Sequence, residues 1–238
     1  MEERYTRQIQ IPQIGNEGQE KLGKASVLVV GAGGLGCPII TYLAAAGVGR
    51  IGIVDSDTVT LSNLNRQFLH NTFDIGKLKT DSAKEKISSL NNEIKIETYG
   101  EHLNDNNAEN IFKGYDIVLG AVDSYETRFF INKACIKLSI PYIDGGINGF
   151  NGCVLFSNPP DTTCLNCIFP QTSAEKKTQG VLGTTAGVVG TIEANIALIY
   201  LLGLPNPAQN KLILYDGLRL NIDQITIKKS KNCTVCTK

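Results

Sequence analysis

The residues with the clearest chemical capacity lie near the N-terminus, in Gly31-Ala-Gly33-Gly34-Leu-Gly36. This G-x-G-x-x-G run follows a short apolar segment and precedes a helical one, and Asp55 lies 19 positions beyond Gly36. Glycines let the backbone approach a phosphate, a helix N-terminus supplies N–H donors and a positive dipole, and a carboxylate accepts from ribose hydroxyls. In that context the motif points to an adenine nucleotide, and by itself it leaves NAD and ATP open. A near-match to a P-loop, Gly18-Gln-Glu-Lys-Leu-Gly23-Lys24, precedes a strand rather than following one, and has Ala25 where a hydroxyl is needed, so it is set aside.

The choice between the two nucleotides rests on charge. The chain has only two histidines, His70 and His102, and neither sits in a recognisable dehydrogenase setting. Soon after Asp55 come Ser62-Asn63-Leu-Asn-Arg66-Gln67, then Lys77 and Lys79, and later Asp123, at the end of a predicted strand with Arg128 behind it. Arginine grips phosphate oxygens bidentately, lysine acts as a point charge and aspartate can hold Mg2+, so the set suits a triphosphate with a metal ion.

A second group is made of thiols. Cys164-Leu-Asn-Cys167 and Cys233-Thr-Val-Cys236 are two C-x-x-C pairs separated by 65 residues. Two such pairs suit a tetrahedral structural Zn2+ site; a redox dithiol is the alternative, and it is disfavoured because neither pair is expected to follow a strand and open a helix. The gap is too long for a self-contained knuckle, so the fold must bring the pairs together. Cys37, Cys135 and Cys153 fall in predicted element interiors and read as buried apolar residues.

The elements that would position these groups alternate. Strands are predicted at 26–30, 50–55, 94–99, 116–120 and 141–144, and helices at 35–46, 77–90, 105–112 and 125–138. That order implies an α/β fold with a doubly wound, mostly parallel, Rossmann-like sheet. Beyond Cys153 the pattern changes to strands at 154–157, 211–215 and 224–228 around a long apolar helix at 185–202, with residues 170–183 as an exposed loop. One domain is expected over 1–238: an arm at 1–25, helical or irregular, a nucleotide-binding part at 26–150, and a C-terminal part at 151–238 that completes the sheet and carries the zinc site. Glu193 and Asn195 interrupt the longest apolar run, which argues for a buried helix rather than a membrane span. The 238 residues carry 23 basic and 23 acidic side chains, so no non-specific nucleic-acid or membrane binding is expected. The polar first ten residues lack the apolar core of a secretory signal, and the expected compartment is the cytoplasm.

Arg4-Tyr5-Thr-Arg7-Gln8-Ile9, the glycine run, Asp55-Ser-Asp57-Thr-Val, Ser62 to Gln67, Gly76-Lys-Leu-Lys79 and Asp123, taken in order, closely resemble the MoeB/ThiF/HesA adenylyltransferases, relatives of the adenylation domains of ubiquitin-activating enzymes. The resemblance runs from Arg4 to Cys236. It implies that Gly34 and its neighbours contact phosphates, that Asp55 holds the ribose, and that Asn63, Arg66, Gln67 and Lys79 surround the triphosphate. Asp123 would hold Mg2+ with Ser124 beside it, and the four paired cysteines would bind zinc. It further implies a homodimer in which Arg7 reaches the neighbouring subunit's ATP. The implied reaction is attack of the C-terminal glycine carboxylate of a small ubiquitin-like sulfur carrier, ending in Gly-Gly, on the α-phosphate of ATP, in thiamine or molybdopterin biosynthesis. No rhodanese-like domain follows, which points to a separate sulfur donor. Relatives often carry a reactive cysteine where this chain aligns Lys176, next to Lys177, so a covalent carrier intermediate is not expected. The competing readings are an NAD-dependent oxidoreductase, which leaves Arg7, Arg66, Lys79 and Asp123 without work, and a non-catalytic subunit of an activating complex, which would not need them.

Overall fold

The strand Ser26–Val30 (β1) shows how the molecule is layered. All five of its residues are buried, and alternate side chains enter two different cores, Val27 and Val29 one of them, Leu28 and Val30 the other. A strand covered on both faces reads as an unbroken apolar run, as a parallel sheet between helical layers requires. The structure is a computed structural model, and it describes residues 2–169 and 180–236.

Two helices come first, Glu2–Ile9 (α1) and Gly15–Lys24 (α2), where the sequence left helix or irregular structure open. After β1 follow Gly36–Ala45 (α3), Arg50–Val54 (β2), Lys79–Leu90 (α4), Lys95–Tyr99 (β3), Ala108–Phe112 (α5), Ile117–Gly120 (β4) and Tyr125–Leu138 (α6). Tyr142–Asn148 (β5), Asn151–Ser157 (β6), Leu165–Ile168 (α7), Gly183–Leu201 (α8), Lys211–Asp216 (β7) and Asn221–Thr226 (β8) complete the order. The eight strands form one sheet, β3-β2-β1-β4-β5-β6-β7-β8. The first five are parallel and β6 to β8 add antiparallel. This is the α/β sheet with antiparallel C-terminal strands expected from the sequence.

One core lies between the sheet and α3, α4 and α8, and the other between the sheet and α5 and α6. Helix α8 is long and apolar enough to cross a membrane by length and composition. It packs instead on α3, β5 and β6, with Glu193 buried at its centre.

Several boundaries depart from the sequence reading, α5 beginning at Ala108 rather than 105 and β6 at Asn151 rather than 154 among them. β5 runs to Asn148 rather than stopping at Asp144, because Gly145 and Gly146 continue the strand without side chains. Added Cβ atoms there would meet the Glu193 carboxylate from one face and the Arg128 guanidinium from the other. β8 begins at Asn221 rather than 224, and all six of its residues are exposed, so no burial period marks it. The first cysteine pair does open a helix, contrary to expectation: Cys164 is the N-cap of the four-residue α7. Lys176, Lys177 and most of the predicted 170–183 loop lie outside the described residues.

Candidate active site

In a doubly wound sheet the cleft forms beyond the C-terminal ends of the strands, where neighbouring connections part. Here β1 and β4 are adjacent, and the loops after β1, β2 and β4 carry the glycine run, Asp55 and Asp123. The glycines are required sterically. A Cβ on Gly36 would collide with the Gly31 carbonyl, and Gly31 itself has φ +104 against the backbone of Ala121. Gly33 and Gly34 are half-exposed at the mouth of the turn. A Cβ on Gly34 would stand 3.2 Å from Ala186 Cβ and 3.6 Å from Arg66 Cγ, so the arginine stem lies along the loop.

Asp55 fixes the loop as well as facing the cleft. Its Oδ2 accepts from the Ala32 N–H at 2.8 Å and its Oδ1 from the Asp57 N–H at 2.9 Å. Lys79 is the first residue of α4 and is buried. Its Nζ lies 2.8 Å from Asp57 Oδ2 and 4.0 Å from Asp55 Oδ2. Arg66 Nη1 donates to the Ser62 carbonyl at 2.9 Å and to Asn65 Oδ1 at 3.0 Å. Asn63 is partly used locally, its Oδ1 accepting from the Thr60 N–H at 3.2 Å in a short 3-10 turn that also contains Ser62. Gln67 is buried beside Gly33, and its Oε1 has no hydrogen-bond partner among the described residues.

Asp123 is exposed between β4 and α6. Ser124 caps α6, its Oγ accepting from the Thr127 N–H at 3.5 Å. Such a cap is worth about 1 kcal/mol and fixes the direction in which Asp123 leaves the strand. Arg128, placed behind Asp123 by the sequence, turns the other way into a buried ion pair with Asp144. Its Nε donates to Asp144 Oδ1 at 2.9 Å, and the Tyr142 hydroxyl donates to the same oxygen at 2.7 Å.

Arg7 is not brought to this group. It is exposed on α1, which is held by Gln8 donating to the Ala46 carbonyl, Arg4 to the Leu90 carbonyl and Asn91 to the Tyr5 hydroxyl. Those anchors lie just before the N-terminal ends of β2 and β3, one strand length (about 17 Å for five residues) from the glycine loop.

Two residues of this neighbourhood, named in the sequence without a role there, take one in the fold. Asp57 is the ion-pair partner of Lys79. His70 is buried, with Nε2 3.0 Å from the Ala32 carbonyl and Nδ1 2.8 Å from Ser82 Oγ. Burial lowers its pKa, and nearby Lys79 lowers it further. The only sequence signal for His70 was its position three residues after Gln67.

The four paired cysteines converge from α7 and the C-terminal segment. Their sulfurs all lie within 4.8 Å of one another, with Cys164–Cys167, Cys164–Cys233 and Cys167–Cys236 at 3.8, 3.7 and 3.5 Å. The cluster could hold a metal ion. The other thiols are poorly placed for reaction: burial pushes Cys37 up to about 12, and it also raises Cys135 and the half-buried Cys153.

Sheet order, a glycine loop pinned by a strand-end carboxylate, and cations gathered beside it define a doubly wound α/β fold with a cation-lined cleft beyond the strand ends. The chain belongs to the ThiF family, whose model matches residues 5–235. A sulfur carrier protein adenylyltransferase of Thermus thermophilus is 40% identical to it, covering 98% of this chain and 90% of that protein. An adenylyltransferase and sulfurtransferase MOCS3 of Culex quinquefasciatus is also 40% identical over 98% of this chain, which spans 55% of that longer relative. The crystal structure of E. coli MccB with ATP shares the fold, with a TM-score of 0.87 at 24% identity, covering 99% of this chain and 75% of that one.

Proposed function

We propose that this chain is an ATP-dependent adenylyltransferase that activates the C-terminal glycine carboxylate of a small ubiquitin-like sulfur carrier ending in Gly-Gly. The observation that carries the reading is the grouping of the Asp55-pinned glycine loop with Arg66 and Lys79 beside it. The names and coverage of the two relatives agree with it.

A carboxylate oxygen attacks the α-phosphorus, an O–P bond forms, and the bond to the β-phosphate oxygen breaks, so that pyrophosphate leaves and an acyl-adenylate remains. Both reactants are anions, and the barrier is lowered by positioning and by cations rather than by an acid–base pair. The backbone donors around Gly31, Gly33, Gly34 and Gly36 receive phosphate oxygens. Asp55 takes the ribose hydroxyls, and Ser62, Asn63 and Gln67 line the nucleotide, Gln67 with an acceptor left over for it. Arg66 and Lys79 exchange their present partners for the triphosphate. Mg2+ bound by exposed Asp123, beside Ser124, would neutralise the phosphate charge.

The cysteine cluster fits Zn2+. A tetrahedral site with Zn–S bonds of about 2.3 Å has sulfurs about 3.8 Å apart, and three of the thiol pairs lie at 3.8, 3.7 and 3.5 Å, at or just below that value. Such a closed site is structural. It also suits a reducing cytoplasm, where thiols stay available for metal.

The active unit is a homodimer. Arg7 sits at the wrong end of its own sheet to reach its own cleft, so only a second copy can deliver it. The 1–238 stretch acts as one adenylation domain. No thiol in it is placed to carry sulfur or the carrier, so the acyl-adenylate passes to a separate sulfur donor without a covalent enzyme intermediate. Thiamine and molybdopterin synthesis are the two candidate pathways. The test is exchange of labelled pyrophosphate into ATP: the reading requires exchange that depends on the carrier, and its absence with every Gly-Gly carrier tried would refute it.

A further inference from the structure

His70, buried in the cleft like Lys79 and Gln67, has no part in the chemistry described above, yet it touches the loop on which that chemistry depends. A carbonyl oxygen only accepts, so the 3.0 Å contact with Ala32 requires the proton on Nε2. In the neutral ring Nδ1 then accepts from the Ser82 hydroxyl, at 2.8 Å. His70 and Ser82 are both buried. Ser82 belongs to α4, the helix that begins at Lys79. The imidazole therefore ties the glycine loop to the helix that carries the phosphate-facing lysine.

The consequence follows from the geometry of one peptide. The Ala32 carbonyl and the Gly33 N–H share a planar trans unit, in which the two groups point in opposite directions. With the carbonyl held inward by His70, the Gly33 N–H is directed outward, to the side where Gly33 and Gly34 are half-exposed. The preceding peptide is held as well, because the Ala32 N–H donates to Asp55. Cys37 Sγ adds a long contact to the same carbonyl, 3.8 Å, too weak to hold it alone. Of the two residues whose torsions turn this peptide, Gly33 has no Cβ to resist the rotation and Ala32 has only a methyl. If it turned over, a carbonyl oxygen would replace an N–H donor at the phosphates, exchanging attraction for repulsion.

We infer that His70 is a positioning residue, holding the Ala32–Gly33 peptide so that its N–H, not its carbonyl, faces the phosphates of the nucleotide. The inference rests on the nucleotide reading of the loop.

The test compares ATP with adenosine, which keeps the ribose contact of Asp55 and lacks phosphates. Binding of each is measured by calorimetry on the intact protein and on His70→Met, His70→Gln and His70→Asn. In His70→Met, ATP binding weakens on the order of tenfold or more, the loss of one charge-facing hydrogen bond, while adenosine binding stays within about twofold. The longer amide of His70→Gln can donate at the position of Nε2 and restores most of the ATP affinity; the shorter amide of His70→Asn does not. Unchanged ATP binding in a folded His70→Met, or equal loss of ATP and adenosine, overturns the proposal. Should His70→Met fail to fold, equal ATP binding by the Gln and Asn variants overturns it, and tighter binding by Gln supports it. If the unaltered protein binds neither ATP nor adenosine, the nucleotide reading itself falls, and this proposal with it.

Discussion

The nucleotide cleft and the cysteine cluster are both gatherings of ligating groups, and they are built in opposite ways. In the cleft the ligating side chains already have partners: Lys79 is paired with Asp57, Arg66 with the Ser62 carbonyl and Asn65, and Asp55 with two backbone N–H groups. The partners that hold the cations, Asp57, Ser62 and Asn65, are exposed, and in the proposed reading a triphosphate displaces them, whereas the Ala32 N–H on Asp55 is buried. In the cluster the four sulfurs lie within 4.8 Å of one another, three of the four cysteines are buried, and three of the sulfur pairs are 3.5, 3.7 and 3.8 Å apart. A site that must bind, react and release keeps its charges in exchangeable bonds. A site that only holds the chain together is closed in advance.

That contrast predicts different failures when each is broken. The largest belongs to the cleft and its symmetry mate. Arg7→Ala and Asp123→Ala should each lower adenylation about 100-fold or more, the scale of removing one preorganised charge from a transition state, with little change in thermal stability. Mixed and re-equilibrated, the two inactive chains should recover roughly a quarter of normal activity, because half the dimers are mixed and one of their two sites is intact. No recovery in verified mixed dimers would remove Arg7 from its role in the partner's site.

Breaking the cluster should act on stability first. Cys233→Ser should lose the bound zinc and lower the melting temperature by about 10 °C or more, since metal-binding energy is folding energy and each kcal/mol shifts a chain of this size by about 2–4 °C. Metal analysis of the unaltered protein, together with the melting curves, checks this. A zinc-free parent whose melting is indifferent to the substitution would contradict it.

The smallest effect sharpens the comparison with a third group that fits neither pattern. Glu193 is fully buried in α8 against Gly145, and neither carboxylate oxygen has a partner among the described residues. Burial raises its pKa well above 4.5, and Asp144 adds to the shift while Arg128 opposes it. The folded chain therefore keeps this proton at pH values where the unfolded chain has lost it. The associated stability is fully present below pH 4.5 and is lost progressively as pH rises from there towards the folded value. Glu193→Gln removes that loss, so its advantage in melting temperature should be near zero at pH 4 and should grow between pH 5 and pH 7. A difference that does not change with pH would mean that Glu193 is ionised in the fold.

The alternation of β1 to β5 with helices was legible because buried parallel strands and amphipathic helices leave different periods in the sequence, and helix α6 matches its predicted range residue for residue. The C-terminal elements were harder for stated reasons. β8 has all six residues exposed, α7 is a single turn with Cys164 as its N-cap, and β5 passes through Gly145 and Gly146 before ending at Asn148. The placement of Gly31 to Gly36, Asp55 and Asp123 in the loops after β1, β2 and β4 was legible from spacing. Arg128 was misdirected, because sequence distance from Asp123 cannot tell which face of α6 a side chain takes. His70 and Asp57 were noticed in the sequence, but their contacts were not legible for a related reason: their partners, Ala32 and Lys79, lie 38 and 22 residues away, and only the folded loop brings them together.

The most direct measurement of the central claim is ATP–pyrophosphate exchange with purified chain, Mg2+ and a carrier ending in a free Gly-Gly carboxylate. Labelled pyrophosphate should enter ATP with the free carboxylate, should not enter with the C-terminal amide of the same carrier, and should fall about 100-fold or more in Asp123→Ala. Exchange that persists with the amide, or at full rate in Asp123→Ala, would contradict adenylation of the carrier carboxylate in this cleft.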